Sequence, residues 1–171
     1  MQLRLTPSLK DSQVAALAAL AIGIHVLESV LPSPLPGIKP GFANIITLIA
    51  FACYGLEVAA WVAMLRVLVG SLIVGTFLSP TFVLSFSGAL ASILVLWLVT
   101  KVKKVELSLF GIAILMAMAH MMAQLTMVYY LFIPHDAILK LLPIMLTAAL
   151  IFGALNGVIA TKVYEKLKPA C

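Results

Sequence analysis

Long apolar segments, separated by short breaks that contain proline, glycine or charged residues, run along the whole chain. They predict six helices, at residues 12–31, 42–54, 57–77, 81–102, 107–133 and 137–164. A helix that crosses a bilayer needs about 20 apolar residues, so the second segment is short for a complete span. The pattern predicts an all-α integral membrane protein in which residues 1–171 form a single transmembrane domain of six transmembrane helices.

A loop rich in proline and glycine, residues 32–41, precedes the short second helix. Irregular backbone at membrane depth is tolerated only where it is buried in protein or lines water. We therefore expect this loop to act as a lid over a cavity. A stiff outer connection is the alternative interpretation.

The composition is that of a membrane protein, because 64% of the residues are hydrophobic and only 10% are charged. Six spans with short connections leave no room for a soluble catalytic domain. The sequence also lacks the Asp-Asp-x-x-Asp pair of prenyl diphosphate enzymes, a phosphate-binding P-loop and a Gly-x-Ser-x-Gly elbow. We expect no enzymatic activity, no cofactor and no metal site.

Basic residues gather on one side of the predicted topology. Eight of the eleven lysines and arginines lie before the first helix, around the loop after the fourth, or at the end of the sixth. The positive-inside rule then places both termini in the cytoplasm, in a multi-pass protein of the inner (cytoplasmic) membrane of a prokaryote. The net charge of +5 thus orients the protein, and we expect no nucleic-acid partner.

Arg66 is the only charged residue between Val58 and Thr100. It lies about 13 Å along its helix from Glu57, near the middle of the bilayer. An arginine at that depth costs roughly 2.5–3.5 kcal/mol on insertion scales. Arg66 is therefore expected to face the bundle interior, where a carboxylate, backbone carbonyls, water or an anionic ligand would offset this cost.

Polar residues of other helices are expected at the depth of this arginine or nearer the outer surface. On the first and fifth helices they are spaced three and four residues apart, which places each pair on one helical face. Together they predict one outward-facing pocket for a small anionic or amphipathic solute. The set consists of His25, Glu28, Lys39, Asn44, Arg66, His120 and Gln124.

Each of these residues also has a purely structural interpretation. Glu28 and Arg66 alone would form a structural ion pair. His120 would donate to a backbone carbonyl, Lys39 would extend to lipid headgroups, and Asn44 would cap the second helix. Their joint occurrence at one depth favours a binding site.

A divalent metal held by His25, Glu28 and His120 is a further alternative, since imidazole and carboxylate suit transition ions. Arg66 and Lys39 would repel a cation at that place. The basic residues suit an anionic ligand better, because arginine offers a bidentate fork to carboxylate or phosphate.

Small residues recur every four positions along the first helix, at Ala15, Ala19 and Gly23. Such a stripe permits close approach of another helix. Glu28 lies about 180° around the helix from Ala19. The first helix can therefore bind a ligand on one side and a partner on the other, and packing of the stripe within the chain is the alternative.

Four features resemble a known family: Pro36-Gly-Ile-Lys-Pro-Gly-Phe-Ala-Asn44, Arg66 in the third helix, Ser85-Phe-Ser-Gly88, and His120-x-x-x-Gln124. With these features the chain resembles the membrane proteins called heptaprenyl diphosphate synthase component I, also known as the Gx transporter family. The resemblance covers nearly the whole chain. That family in turn resembles the substrate-binding S components of energy-coupling factor (ECF) transporters.

The resemblance implies an ECF S-component-like bundle of six helices with cytoplasmic termini. In S components an outer loop between the first two helices covers the ligand, and an Ala-x-x-x-Ala stripe on the first helix contacts the coupling subunit. The stripe matches Ala15 and Ala19, and the loop matches residues 32–41. The implied partners are a small-molecule substrate and a membrane coupling subunit with cytoplasmic ATPases.

Two other functions remain open at the level of the sequence. One is a non-catalytic accessory protein of isoprenoid or quinone (prenyl phosphate) metabolism, with a prenyl tail in an apolar cavity and its phosphate on Arg66. An apolar opening of lipid shape between helices would favour it. The other is a stand-alone secondary transporter coupled by Glu28 and the histidines. Membrane lipid is a partner in every case.

Overall fold

The computed structural model describes residues 9–30, 40–102 and 107–168, and every regular element in these ranges is helical. The α-helices are α1 (Leu9–Val30), α2 (Ala43–Tyr54), α3 (Leu56–Val74), α4 (Pro80–Lys101), α5 (Leu109–Met127) and α6 (Leu142–Leu167). A π-helical turn, Val128–Phe132, extends α5, and a 3-10 helix, Asp136–Leu141, leads into α6. The predicted all-α fold is confirmed for the described residues.

Local sequence explains where several helices begin and end. The Ser79 hydroxyl caps α4 by accepting a hydrogen bond from the backbone N–H of Phe82 at 3.4 Å, and Ser108 caps α5 in the same way. Gly55 and Gly75 follow α2 and α3 with φ of 84° and 76°. Glycine adopts these angles without steric cost, so both helices end sharply.

Five helical stretches in the described part of the chain are long and apolar enough to cross a membrane. The protein is therefore a multi-pass membrane protein. The exception is α2, which has 12 residues and extends about 18 Å, against a bilayer core of about 30 Å. Six complete spans and the orientation of the termini stay predictions.

The short helix α2 lies at the centre of the bundle, in contact with α1, α3, α5 and α6. Seven of its 12 residues are buried, namely Ala43 and residues 45–50. Buried side chains of α3, α4 and α5, such as Val62, Leu96 and Met116, belong to the same core. Protein surrounds α2 on several sides, so most of this short helix is buried within the bundle.

Lysines mark one end of the bundle. Lys10 at the start of α1 forms an ion pair with Glu57 at the start of α3, so these two helices begin at the same end. Lys101 closes α4 and Lys166 lies in the last turn of α6. We call this the lysine-rich end.

Close packing of α6 on α5 depends on two glycines spaced four residues apart. A Cβ atom at Gly153 would lie 2.9 Å from the Cβ of Ala117, and one at Gly157 would lie 3.0 Å from Cδ2 of Phe110. The glycines therefore allow the two helices to approach closely, as in other membrane helix pairs. This Gly-x-x-x-Gly motif was missed in the sequence, although its spacing is a recognisable signal.

Candidate functional site

The candidate site surrounds the chain segment that leads into α2, residues 40–44, which we call the entrance segment. Glu28 of α1, Arg66 of α3 and Asn156 of α6 are buried, with 5%, 4% and 6% of their surface exposed. Each of the three donates or accepts a hydrogen bond within the entrance segment. Three helices thus bring polar groups to one short stretch of chain.

Glu28 holds the start of α2. Its Oε1 accepts a hydrogen bond from the backbone N–H of Phe42 at 2.6 Å. The N-terminus of a helix carries partial positive charge and unpaired N–H groups, so a carboxylate is stabilised there. Gly41, with φ of 71°, turns the backbone into this position.

Arg66 reaches the same helix one turn further along. Its Nη1 donates a hydrogen bond to Oδ1 of Asn44 at 2.8 Å, while its Nε is buried and bonds to none of the described residues. The direct ion pair seen among the described residues joins Lys10 to Glu57, so the structure gives no support to a contact ion pair of Glu28 with Arg66.

Asn44 does not cap α2 with its side chain. The residue before the helix is Phe42, with no side-chain cap, and the Asn44 side chain accepts from Arg66 instead. The structural interpretation of Asn44 as a helix cap is therefore wrong.

Asn156 is a member of the site that was missed in the sequence. Its Nδ2 donates to the carbonyl oxygens of Pro40 at 3.0 Å and Gly41 at 3.3 Å. Its Oδ1 is buried and has no partner within residues 9–30, 40–102 and 107–168. Its position in a long apolar helix was a usable sequence signal. A buried amide is costly unless it is hydrogen-bonded, so an asparagine there indicates a partner inside the bundle.

A small cavity lies between α2, α5 and α6, next to the entrance segment. Its volume is about 10 Å³, enough for roughly one water molecule. The side chains of Asn44 and Asn156 form its polar wall, and residues such as Leu48 and Met116 form the apolar remainder. A larger solute can bind here only if the entrance segment or α2 moves.

His120 of α5 faces α4. Its Nε2 is 3.1 Å from Nε2 of Gln124, and its Nδ1 is 3.4 Å from Oγ of Ser92. The ring packs directly against Gly88, where a Cβ atom would lie 2.5 Å from the imidazole. The structure thus brings His120 and Gln124 together and adds Ser92, which was not predicted.

The remaining predicted site residues have different surroundings. The ring of His25 packs against Gly70 of α3, at the contact between α1 and α3. Lys39 lies outside the described residues. No group of three or more His, Cys, Asp and Glu side chains forms a metal-type cluster in the described ranges, so His25, Glu28 and His120 do not converge on one point.

The stripe of small residues on α1 faces away from the bundle. Ala15, Ala19 and Gly23 are all exposed, and a Cβ atom on Gly23 would meet no other atom within 4 Å. The alternative in which this stripe packs within the chain is therefore wrong. Glu28 is buried on the same helix, so α1 presents one face to the site and another to its surroundings.

The chain is similar to one known protein family over most of its length. The family model described as heptaprenyl diphosphate synthase component I matches residues 17–163, which include all described members of the site and most of the stripe. No curated protein and no solved structure matches the chain significantly.

Proposed function

The chain belongs to the heptaprenyl diphosphate synthase component I family, and we propose that it is the substrate-binding membrane subunit of an ECF-like transporter. It captures a small anionic or amphipathic solute from the outer side of the cytoplasmic membrane. The subunit is not an enzyme, and its role is to bind and release the solute.

The unpartnered Nε of Arg66 is the observation that carries this proposal. Nη1 is already held by Asn44, so the guanidinium is fixed in orientation while Nε stays buried without an acceptor among the described residues. A buried donor on a charged group that lacks an acceptor is costly. A carboxylate or phosphate on this edge would satisfy it and receive a charge-assisted, bidentate contact.

Access to Arg66 would be controlled by the entrance segment. Three side chains hold this segment through its backbone or through Asn44, and the proline-rich residues 32–39 precede it. Breaking these few hydrogen bonds would move the start of α2 and enlarge the small cavity beside it. His120 and Gln124 would supply further hydrogen bonds to the solute, and Lys39 further positive charge.

Transport would need a partner, since the sequence contains no recognisable ATP-binding motif. We propose that a membrane coupling subunit with cytoplasmic ATPases contacts α1 along Ala15, Ala19 and Gly23. These residues are small and exposed, which suits close packing of a second helix. The lysine-rich end would lie in the cytoplasm.

The alternative is a non-catalytic accessory protein of prenyl phosphate metabolism. Besides the family name, an apolar groove between α3 and α4 favours it, because such a groove suits an isoprenoid tail. Arg66 does not line that groove, so the phosphate of a ligand bound there would have to meet another cation.

Native mass spectrometry of the protein purified in mild detergent tests the proposal. We expect a retained small molecule that carries a carboxylate or phosphate and that is lost from the Arg66→Met variant. An isoprenoid phosphate retained equally by both proteins would favour the alternative. The control is Thr147→Val. The Thr147 hydroxyl donates to the carbonyl oxygen of Pro143 in its own helix, so this variant should retain the molecule.

A further inference from the structure

An apolar groove runs between α3 and α4 at the lysine-rich end. It is lined by Leu56, Glu57, Ala60, Leu90, Ile93, Leu94 and Trp97, and its volume is about 620 Å³. Leu90, Leu94 and Trp97 are each about half exposed. Since α3 and α4 are both long and apolar enough to cross a membrane, we expect the groove to open onto lipid.

Charged residues lie at the end of this groove where α4 finishes. The Lys101 Nζ lies 5.6 Å from the centre of the Trp97 ring, so the ammonium group is next to the groove wall. Glu57 is paired with Lys10, and Lys101 makes no ion pair with any described residue. Lys10, Glu57 and Lys101 together give a net positive charge beside the apolar groove.

We propose that this groove is a binding site for an anionic phospholipid. One acyl chain lies between α3 and α4 against Ala60 and Leu94, and the headgroup phosphate contacts Lys101. The apolar lining suits an acyl chain, and the net positive end suits a phosphate that carries no compensating amine. A zwitterionic lipid offers the same chain but gains less from Lys101. This inference does not depend on the proposed transport function.

The two tryptophans of the chain provide matched probes. Trp97 lines the groove, whereas Trp61 lies on α3 outside it, and they are 45% and 56% exposed. Both are near the lysine-rich end, Trp61 within two turns of the start of α3 and Trp97 within two turns of the end of α4. They therefore report on lipid at similar depth.

The experiment measures quenching of each tryptophan by lipids with brominated acyl chains. The Trp61→Phe variant reports on Trp97 and the Trp97→Phe variant reports on Trp61, both in vesicles that contain brominated phosphatidylglycerol or brominated phosphatidylcholine. At Trp97 we expect phosphatidylglycerol to bind about fivefold more tightly than phosphatidylcholine, the effect of one lysine near a membrane surface. At Trp61 we expect a much smaller preference.

Substitution of single lysines identifies the headgroup contact. Lys101→Gln should remove most of the preference for phosphatidylglycerol at Trp97. Lys166→Gln removes the same charge from α6, also at the lysine-rich end, and should leave the preference unchanged. Equal preference at both tryptophans, or no effect of Lys101→Gln, would overturn the proposal. Protection of Trp97 from both lipids with normal quenching of Trp61 would also overturn it, because a protein segment would then occupy the groove.

A second readout needs no tryptophan substitution. Native mass spectrometry of the otherwise unaltered protein, titrated with phosphatidylglycerol, should show one tightly retained lipid that Lys101→Gln loses and Lys166→Gln keeps. Equal loss in the two lysine variants would contradict the proposal.

Discussion

Arg66 in the middle of α3 donates a hydrogen bond from Nη1 to Oδ1 of Asn44 in the first turn of α2, at 2.8 Å. This bond connects a charge deep in a membrane-spanning helix to the segment through which the chain enters the bundle core. It fixes the guanidinium while leaving Nε buried and without a partner in the described part of the chain. The orientation of the charged group and the position of the entrance segment are therefore coupled.

Replacing Arg66 by methionine should abolish solute retention without preventing folding. Methionine fills a similar apolar volume and removes the cost of burying a charge, although Asn44 loses its donor at a cost of about 1–3 kcal/mol. Native mass spectrometry should show at least a tenfold loss of the co-purified molecule. Arg66→Lys keeps the charge but not the planar fork, so it should retain an intermediate amount. Unchanged retention by a folded Arg66→Met protein would mean that the arginine is structural.

Replacing Asn156 by alanine should loosen the entrance segment. The Pro40 carbonyl oxygen would lose its Asn156 donor, whereas the Gly41 carbonyl oxygen would keep the backbone N–H of Asn44. The loss of a partner by a part-buried acceptor costs at most about 1–3 kcal/mol. We expect a lower Tm and faster hydrogen exchange of the amides of residues 41–45. Thr161→Ala on the same helix removes only a bond to the helix backbone at Gly157 and should leave that exchange unchanged. Normal protection in Asn156→Ala would show that other contacts hold the segment.

Replacing Gly88 by alanine should separate α4 from α5. The new Cβ would lie 2.5 Å from the His120 ring, and overpacking of this kind typically costs about 1–3 kcal/mol. We expect a lower Tm, with recovery in the Gly88→Ala, His120→Ala double variant because the small side chain at 120 makes room. Gly111→Ala meets only Ser108 Oγ at 3.5 Å and should be neutral or slightly stabilising. Additive effects of the two substitutions would contradict direct packing of His120 on Gly88.

Introducing tryptophan into the stripe of α1 should separate solute binding from transport. Ala15→Trp and Ala19→Trp place a bulky side chain on an exposed face that the proposed partner contacts, and close helix packing requires small residues. Uptake should fail while solute retention remains at the wild-type level. Ile151→Trp on the exposed face of α6, where Ile151 is 61% exposed, should support normal uptake. Loss of solute binding in the α1 variants would contradict the proposal that one face of α1 lines the binding site and the opposite face contacts the partner.

Much of the fold was predictable because long apolar segments are local features. The length of each run determines whether a helix spans the bilayer, and prolines, glycines and cap residues determine where it ends. The short second helix was recognised for the same reason. The predicted fifth segment, in contrast, is divided into α5 and the π-helical turn Val128–Phe132, since the apolar pattern does not distinguish the two kinds of helix.

The candidate site was only partly predictable. The sequence identified Glu28, Asn44 and Arg66 because a buried polar or charged residue in a membrane helix needs a partner. It did not identify the pairs: Glu28 bonds the backbone of Phe42, and Arg66 bonds the Asn44 side chain. A backbone N–H exists at almost every position and so gives no sequence signal.

The sequence by itself determined that the chain lies in a membrane, that Arg66 faces the interior, and that α1 has two dissimilar faces. These properties follow from hydrophobicity and helical period, which act over a few residues. Only the tertiary structure decided that Asn156 holds Pro40, 116 positions earlier in the chain. It also decided that α2 lies buried at the centre and that the stripe on α1 is exposed. Such contacts depend on how whole helices pack, because a buried polar atom bonds whichever partner the packing brings within reach.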